Sequence, residues 1–296
     1  MRLTEIANSI DVEVNRDAEF MSLGFITHQT PKRLIFIENK KYLSKLKDAA
    51  GVSAVITTPA MLAYIPDVYG LMISLEPRKA FYTLHNYLAE HTNFYWLNFA
   101  SRISDNAIIH PTAYIAPVNV VIEDGVKIEP HVTIYEKTTI GENSIIRSGA
   151  TIGAIGFEFK RFGDKILHVI HAGGAKIGKR VEIQCNSNVD RAVFDGFTEI
   201  GDDTKIDTLV HIGHQTIVGK RCMIAASTVL CGSAIIGDDV WIGPHSIISS
   251  EISIGAGANI TLGSVVTRSV APQQRVTGNF AIDHNKFITF MKSIDK

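Results

Sequence analysis

An aliphatic residue recurs at every sixth position through much of this chain, and that period restricts the fold more than any other feature. The register is unbroken over one long stretch, with Ile, Val or Leu at positions 200, 206, 212, 218, 224, 230, 236, 242, 248, 254, 260 and 266. A period of six matches neither the turn of a helix, about 3.6 residues, nor the alternation of a strand, about two. It predicts a solenoid of short strands and tight corners. Aliphatic side chains stack inward, and Gly, Asn or Asp relieves strain at the corners.

The same period extends upstream, with three interruptions. It holds over 103–115, 122–152 and 177–189. One residue is extra after position 115, an insertion occupies 155–175, and one residue is missing between 189 and 200. Three hexads in each triangular coil give 18 residues per turn, so residues 18 apart stack on neighbouring coils. We therefore predict a solenoid domain over residues 101–270.

Residues 1–100 contain no hexads and alternate between strand and helix patterns. Buried strands are predicted from K-R-L-I-F-I-E, V-S-A-V-I-T-T and Y-G-L-M-I-S-L. Amphipathic helices are predicted from N-K-K-Y-L-S-K-L-K-D-A-A and E-P-R-K-A-F-Y-T-L-H-N-Y-L-A-E. Residues 271–296 leave the repeat and end in a predicted helix that caps the solenoid. The expected fold is mainly β: a parallel β-helix preceded by a small α/β domain and followed by a short C-terminal helix.

Charge and cysteine content narrow the functional classes. The 29 Lys and Arg residues balance 30 Asp and Glu residues, the net charge is -1, and no basic run is present, so we expect no nucleic-acid partner. The start of the chain resembles no signal peptide, and no apolar run of about 18 residues predicts a transmembrane segment. Three cysteines without a C-x-x-C pair are typical of free thiols in a reducing compartment. We therefore expect a cytoplasmic protein.

Two histidines in I-D-T-L-V-H-I-G-H-Q are the candidates for chemistry. Gly232 follows His214 by 18 residues, so the register places a bare backbone N–H one coil above an imidazole. Such a pair would let His214 take a proton as a general base, with a pKa near the ordinary value for imidazole, about 6.5. The N–H of Gly232 would hold the oxyanion of a thioester under attack. Ser250 continues this column, Glu251 lies beside it, and His211 ends its own hexad. The alternative is that these histidines are solvated corner residues.

The chain resembles the UDP-3-O-acylglucosamine N-acyltransferases, hexapeptide-repeat enzymes, over nearly its full length. L-I-F-I-E-N-K-K-Y is similar to their uridine-recognition segment, which places Phe36, Asn39 and Tyr42 at nucleotide-contacting positions. The alternative is that the two aromatic residues belong to the core at a strand end. G-A-I-G-F-E-F resembles the start of the family's insertion, and I-Q-C-N-S-N-V-D-R-A places Asp190 and Arg191 near the substrate.

The resemblance also implies a mechanism and an assembly. It places the family's catalytic base on His214 and its oxyanion N–H on Gly232, the pair that the register selects independently. It implies a left-handed β-helix, a homotrimer and a nucleotide-linked amino sugar as acceptor. The acyl donor would be acyl-CoA or an acyl carrier protein, with no permanently bound cofactor. Both readings place the enzyme in bacterial cell-surface glycan synthesis.

Three departures from the family pattern affect the expected substrate. Thr208 replaces an Asn, Glu251 replaces a second active-site His, and G-S-V-V-T-R-S-V-A-P-Q-Q-R-V-T-G-N-F-A is more typical of enzymes that use coenzyme A. Arg268 and Arg275 would then lie near the coenzyme A phosphates. These features favour a short acyl-CoA and a UDP- or dTDP-linked amino deoxysugar, as in O-antigen synthesis. The alternative is UDP-3-O-(3-hydroxyacyl)glucosamine N-acylation in the lipid A branch of lipopolysaccharide synthesis.

Two further hypotheses come from other classes. Trimeric β-helix enzymes of the γ-carbonic-anhydrase kind bind zinc between subunits. The pair His211 and His214 lacks their H-x4-H spacing and a third ligand, so we predict no metal. A purely structural β-helix would bind neither nucleotides nor coenzyme A.

Overall fold

The computed structural model describes residues 1–10, 12–28, 30–278, 281 and 283–294. The N-terminal part forms a five-stranded sheet with the order β1-β5-β4-β3-β2, in which only β1 runs antiparallel. Its strands are Glu13–Arg16 (β1), Ser22–Leu23 (β2), Arg33–Ile37 (β3), Val52–Thr57 (β4) and Gly70–Ile73 (β5). Its α-helices are Leu3–Ile6 (α1), Leu43–Asp48 (α2) and Pro77–His91 (α3), with 3₁₀ turns at Ala7–Ser9, Lys40–Tyr42 and Pro59–Tyr64.

The parallel strands β3, β4 and β5 are buried almost throughout, because helices or turns cover both faces of their sheet. These are the three strands expected from the sequence. Helix α3 begins at Pro77, where the first helical position needs no N–H. It packs Phe81, Leu84 and Leu88 onto the sheet, and all three side chains are inaccessible to solvent.

Short strands continue from residue 102 to residue 276. In chain order they are Arg102–Ile103 (β6), Ile108–Ile109 (β7), Tyr114–Ile115 (β8), Val120–Ile122 (β9), Lys127–Ile128 (β10), Thr133–Ile134 (β11), Thr138–Ile140 (β12), Ile145–Ile146 (β13), Thr151–Ala154 (β14), Phe159–Phe162 (β15), Lys165–His168 (β16), Gly174–Ile177 (β17), Glu182–Ile183 (β18), Asn188–Asp190 (β19), Phe197–Ile200 (β20), Lys205–Ile206 (β21), His211–Ile212 (β22), Ile217–Val218 (β23), Met223–Ile224 (β24), Val229–Leu230 (β25), Ile235–Ile236 (β26), Trp241–Ile242 (β27), Ile247–Ile248 (β28), Ser253–Ile254 (β29), Asn259–Ile260 (β30), Val265–Val266 (β31) and Arg275–Val276 (β32). All but β15 and β16 belong to three parallel sheets, which are the three faces of the solenoid.

The three faces contain nine, eight and eight strands. Neighbouring strands pair with the predicted register, as where His211 lies beside Val229 and Ile212 beside Leu230. The recurring aliphatic residues fill one continuous core and are almost fully buried. Each such side chain contributes about 1.5–3 kcal/mol, so the stacked columns stabilise the fold. The predicted left-handed parallel β-helix with a preceding α/β unit is confirmed.

The glycines of the hexads have a different role from the one expected. The residue that takes the left-handed conformation comes three positions after the aliphatic residue, as at Asp203 (φ 62°) and Glu251 (φ 61°). Glycines directly after the aliphatic residue do not relieve corner strain. A β-carbon at Gly219 would lie 2.6 Å from the carbonyl carbon of Gly237 on the next coil. These glycines therefore permit close approach between coils.

The insertion joins the solenoid to the N-terminal sheet. Strands β15 and β16 form an antiparallel hairpin, and the segment after it packs against α3. The side chain of Asn86 donates to the carbonyl of His168 (2.7 Å) and accepts from the N–H of Ile170 (3.0 Å). Phe194, in the stretch where the period loses a residue, lies in the same core cluster as Phe81. Both interruptions of the period thus form the contact between the two parts of the chain.

The C-terminal helix spans His284–Ile294 (α4), and every side chain along it is exposed. The prediction that this helix caps the solenoid is wrong, because it buries no apolar face against the last coil. Asn279 and Phe280 of the coenzyme-A-like ending lie outside the described residues. Among the described helices, none has the length and apolar content needed to cross a membrane. Cys222 is buried, whereas Cys185 and Cys231 are half-buried, and all three are free thiols.

Candidate functional site

His214 lies in the corner that follows strand β22, directly below Gly232 on the next coil. The corners are joined by backbone hydrogen bonds: Ser233 N–H donates to the carbonyl of His214 (2.8 Å), and Glu251 N–H donates to that of Gly232 (3.2 Å). A β-carbon at residue 232 would lie 2.5 Å from Cε1 and 2.6 Å from Nε2 of His214. The structure therefore places the two groups side by side, as the spacing of the sequence predicts.

The backbone N–H of Gly232 is unobstructed. It donates to no group among the residues that the structure describes. A β-carbon at Gly213 would lie 2.8 Å from this nitrogen, so two glycines keep its surroundings clear. Such an amide, fixed beside an imidazole, is suited to stabilising an oxyanion.

The insertion hairpin supplies a carboxylate to this histidine. Oε2 of Glu158 lies 3.6 Å from Nε2 of His214, and Oε1 of Glu158 lies 2.5 Å from Nζ of Lys160. The imidazole of His171 meets that of His214 edge-on, with 5.6 Å between ring centroids. His171 is 2% exposed, and neither of its ring nitrogens has a hydrogen-bond partner within the described part of the chain. Burial lowers the pKa of His171 to about 3, and the nearby His214 contributes to that shift.

Burial also lowers the pKa of His214, although Glu158 and Asp190 oppose the shift. The expectation of an imidazole with its ordinary pKa is therefore wrong, because the hairpin covers the ring. The side chain of His214 nevertheless remains 20% exposed, so the site is open to a ligand. A lowered pKa keeps the imidazole neutral at physiological pH, which is the form that accepts a proton.

Asp190 and His211 adjoin the same site. Oδ2 of Asp190 lies 3.6 Å from Nε2 of His211, and the side-chain amide of Asn188 donates to Oδ1 of Asp190 at 2.6 Å. Burial raises the pKa of Asp190, against the opposing effect of this hydrogen bond. Arg191 is buried and pairs with Glu136 at 2.7 Å, so its guanidinium already has an ionic partner.

A second element of the site is a cavity of about 780 Å³ between the N-terminal sheet and the solenoid, termed here the junction cavity. Its lining includes the three expected nucleotide-contacting residues together with three cationic side chains and one carboxylate from the solenoid: Phe36, Asn39, Tyr42, Lys41, Lys45, Arg78 and Glu251. Phe36 also packs against Phe81, with 5.2 Å between ring centroids, so it belongs to both the core and the cavity wall. Asn39 additionally caps the following turn, because its side-chain oxygen accepts the N–H of Lys41 at 3.0 Å.

Tyr82 connects the junction cavity with His214. It lines the cavity, and Nζ of Lys160 lies 5.3 Å from its ring centroid. Burial raises the pKa of Tyr82, and the carboxylates of Glu158 and Glu251 contribute to the increase. Glu158 therefore lies between the end of the cavity and the imidazole.

Other predicted site residues lie apart from this group. Ser250 is exposed on the coil above Gly232, while Arg268 and Arg275 are exposed on the last coils. Neither arginine forms an ion pair with any residue in the described ranges. Nor do the described residues contain a group of three or more His, Cys, Asp and Glu side chains arranged to hold a metal ion.

Sequence analysis did not identify Glu158, His171, Arg78 or Tyr82 as site residues. Glu158 lies within the G-F-E-F segment that it quoted, but its position inside an aperiodic insertion gave no spacing from which to assign a neighbour. Arg78 and Tyr82 lie one turn apart on α3, where the helical pattern predicts only a packed face.

Comparison with known proteins agrees with this architecture. Residues 119–154 and 197–232 match the family described as bacterial transferase hexapeptide (six repeats). One solved structure, a UDP-N-acetylglucosamine acyltransferase, is 26% identical with a TM-score of 0.50, covering 66% of this chain and 77% of that one.

Two curated relatives are both UDP-3-O-acylglucosamine N-acyltransferases. The one from Caulobacter sp. (strain K31) is 37% identical, over 47% of this chain and 41% of its own length. The second, numbered 2 in Legionella pneumophila (strain Paris), is 31% identical over 93% of this chain and 87% of its own length. With the fold and the repeat in agreement along most of its length, the chain belongs to the UDP-3-O-acylglucosamine N-acyltransferase family and is an acyltransferase.

Proposed function

We propose that this protein transfers an acyl group from a thioester to the amine of a UDP-linked, 3-O-acylated glucosamine, forming an amide. The observation that carries the proposal is the contact between the imidazole of His214 and the backbone of Gly232 near the end of the junction cavity. The relatives' names favour the lipid A reading, which the sequence analysis placed second. The preference for a short acyl-CoA and an amino deoxysugar rested on Thr208, Glu251 and the C-terminal ending, and the relatives' names do not support it.

The junction cavity suits a nucleoside diphosphate. Tyr42 offers an aromatic face to a base, and its side chain is 38% exposed. Lys41, Lys45 and Arg78 supply positive charge for two phosphates. A nucleotide bound in this way directs its sugar towards Tyr82 and so towards His214.

The residues at the end of the cavity perform the chemistry in three steps. The neutral amine attacks the thioester carbonyl, and His214 accepts a proton from the nitrogen as the C–N bond forms. The carbonyl oxygen becomes an oxyanion beside the N–H of Gly232. The C–S bond then breaks, and the leaving thiolate takes the proton back from His214.

The donor and the assembly follow from the same proposal. The donor thioester approaches from the outer face of the coils, carried by acyl carrier protein or by coenzyme A, and no permanently bound cofactor takes part. Arg268 and Arg275 meet the phosphates only if coenzyme A is the carrier. We further propose a homotrimer, in which flat solenoid faces pack together and the donor arm lies between neighbouring chains.

A panel of two acceptors and two donors tests the proposal. UDP-3-O-acylglucosamine and a dTDP-linked amino deoxysugar are each combined with a long-chain acyl carrier protein and a short acyl-CoA, and amide products are measured by mass spectrometry. We expect turnover of the UDP sugar with the acyl carrier protein, abolished in His214→Ala. Turnover of the dTDP sugar alone would support the O-antigen reading instead. Amide formation with no combination would refute both.

A further inference from the structure

We infer that Glu158 binds the acceptor's nitrogen as an ammonium group and so selects an amine over a hydroxyl nucleophile. This inference rests on the proposed function and names the residue that defines its acceptor. No other role has been found above for this carboxylate, which the insertion hairpin carries into the site.

The two oxygens of Glu158 have different partners. Oε1 lies 2.5 Å from Nζ of Lys160, which fixes the carboxylate. Oε2 lies 3.6 Å from Nε2 of His214, too far for a hydrogen bond. The separation is short enough for one small donor to contact both atoms. An amine nitrogen has several N–H groups and can donate to a carboxylate and an imidazole together, whereas a hydroxyl has one proton to donate.

The surroundings strengthen this selection. The side chains of Glu158 and His214 are 15% and 20% exposed, so water screens their interactions only weakly. The charged and titratable groups around them are Lys160, Asp190, His171, His211 and Tyr82. Lys160 is bound at Oε1 and leaves Oε2 available, while burial keeps His171 neutral and so adds no charge that would repel an ammonium.

The proton balance is complete without another reactant. The ammonium bound at Oε2 releases one proton to water and becomes the neutral amine. That amine attacks the thioester, its second proton passes to His214, and the proton ends on the leaving thiolate. Glu158 is unchanged, and the products are one amide, one thiol and one proton.

An alternative role for Glu158 is to orient the imidazole of His214 without contacting the substrate. The two roles differ in their dependence on the acceptor. A carboxylate that binds the ammonium affects only acceptors with an amine. A carboxylate that orients the base affects catalysis with every acceptor but leaves ligand affinity unchanged.

The test compares UDP-3-O-acylglucosamine with the UDP-3-O-acyl sugar that carries a hydroxyl in place of the amine. Their dissociation constants are measured by calorimetry without donor, for the full chain and for Glu158→Gln, which keeps the size of the side chain. We expect the unsubstituted protein to bind the amine about 10- to 100-fold more tightly, as for one charge-assisted hydrogen bond. Glu158→Gln should remove this preference while binding UDP itself normally, which also shows that the variant is folded. Glu129→Gln is the matched control, because it removes a carboxylate that is paired with Arg147 on another face.

Each outcome has a distinct meaning. An unchanged preference in Glu158→Gln, with turnover reduced, overturns the inference in favour of the orienting role. An unchanged preference with unchanged turnover overturns it outright. If the unsubstituted protein forms no amide from any UDP-linked amine, the proposed function fails, and that result comes from a different measurement.

Discussion

The imidazole of His214 occupies the space that a side chain at Gly232 would need. A β-carbon at residue 232 would lie within 2.5 Å of Cε1 and 3.0 Å of Nδ1. The φ angle of Gly232 is not in the left-handed region, so the backbone alone would accept other residues. The glycine is thus required by the imidazole, and the two positions are expected to respond to substitution together.

Gly232→Ala should therefore be destabilising only while the imidazole is present. We expect a loss of about 1–3 kcal/mol in the free energy of unfolding, typical of overpacking, and a loss of activity as the ring is displaced. In the His214→Ala background the same change should cost much less. Urea unfolding of the four proteins in this cycle measures the coupling. Equal costs in both backgrounds would contradict the contact.

Removing the general base tests the chemistry directly. His214→Ala should lower kcat by about 10²–10⁴, because the imidazole no longer accepts the proton of the amine. The affinity for UDP should be unchanged, since the nucleotide-facing residues lie at the other end of the junction cavity. His110→Ala, at an exposed corner of an early coil, is the control and should retain full turnover. Near-native turnover of His214→Ala would refute the assignment.

The junction cavity should divide nucleotide recognition between base and phosphates. Tyr42→Ala should weaken binding of both uridine and UDP by about 10-fold, through the loss of one stacked aromatic face. Arg78→Gln should weaken UDP while leaving uridine unchanged, because only the phosphates contact a cation. Calorimetric titration with the two ligands distinguishes these effects. A parallel loss of both ligands in Arg78→Gln would show that the arginine does not face the phosphates.

Acid should destabilise the protein through three buried histidines. Burial lowers the pKa values of His28 and His85 to about 4, and that of His171 to about 3. In the unfolded chain these imidazoles bind protons below pH of about 6.5, whereas in the folded protein they remain neutral to about pH 4. The unfolded state therefore binds more protons, and stability falls as the pH decreases through this window.

The slope of that loss is measurable. Each histidine contributes up to about 1.4 kcal/mol per pH unit. Urea unfolding at intervals between pH 7 and pH 4.5 gives the slope. In His85→Gln, which removes one of the three groups, it should decrease by about a third. A slope that His85→Gln leaves unchanged would show that His85 does not titrate on unfolding.

The sequence by itself determined the solenoid and one catalytic contact. A period of six leaves no alternative to short stacked strands, and the coil of 18 residues converts a distance along the chain into a distance in space. The adjacency of His214 and Gly232 could therefore be read from the spacing alone. The strands of the N-terminal sheet were predictable for a similar reason, since each is a continuous apolar run with turn residues at its ends.

Only the tertiary structure decided what surrounds that contact. Glu158, His171 and Tyr82 come from an aperiodic insertion and from a helix face, and no spacing relates them to His214. Their position depends on how the hairpin and α3 pack, which involves many long-range contacts at once. The lowered pKa of His214 has the same origin, because burial by the hairpin disfavours a charged imidazole. A repeat encodes its own neighbours, whereas an insertion acquires its neighbours only when the chain has folded.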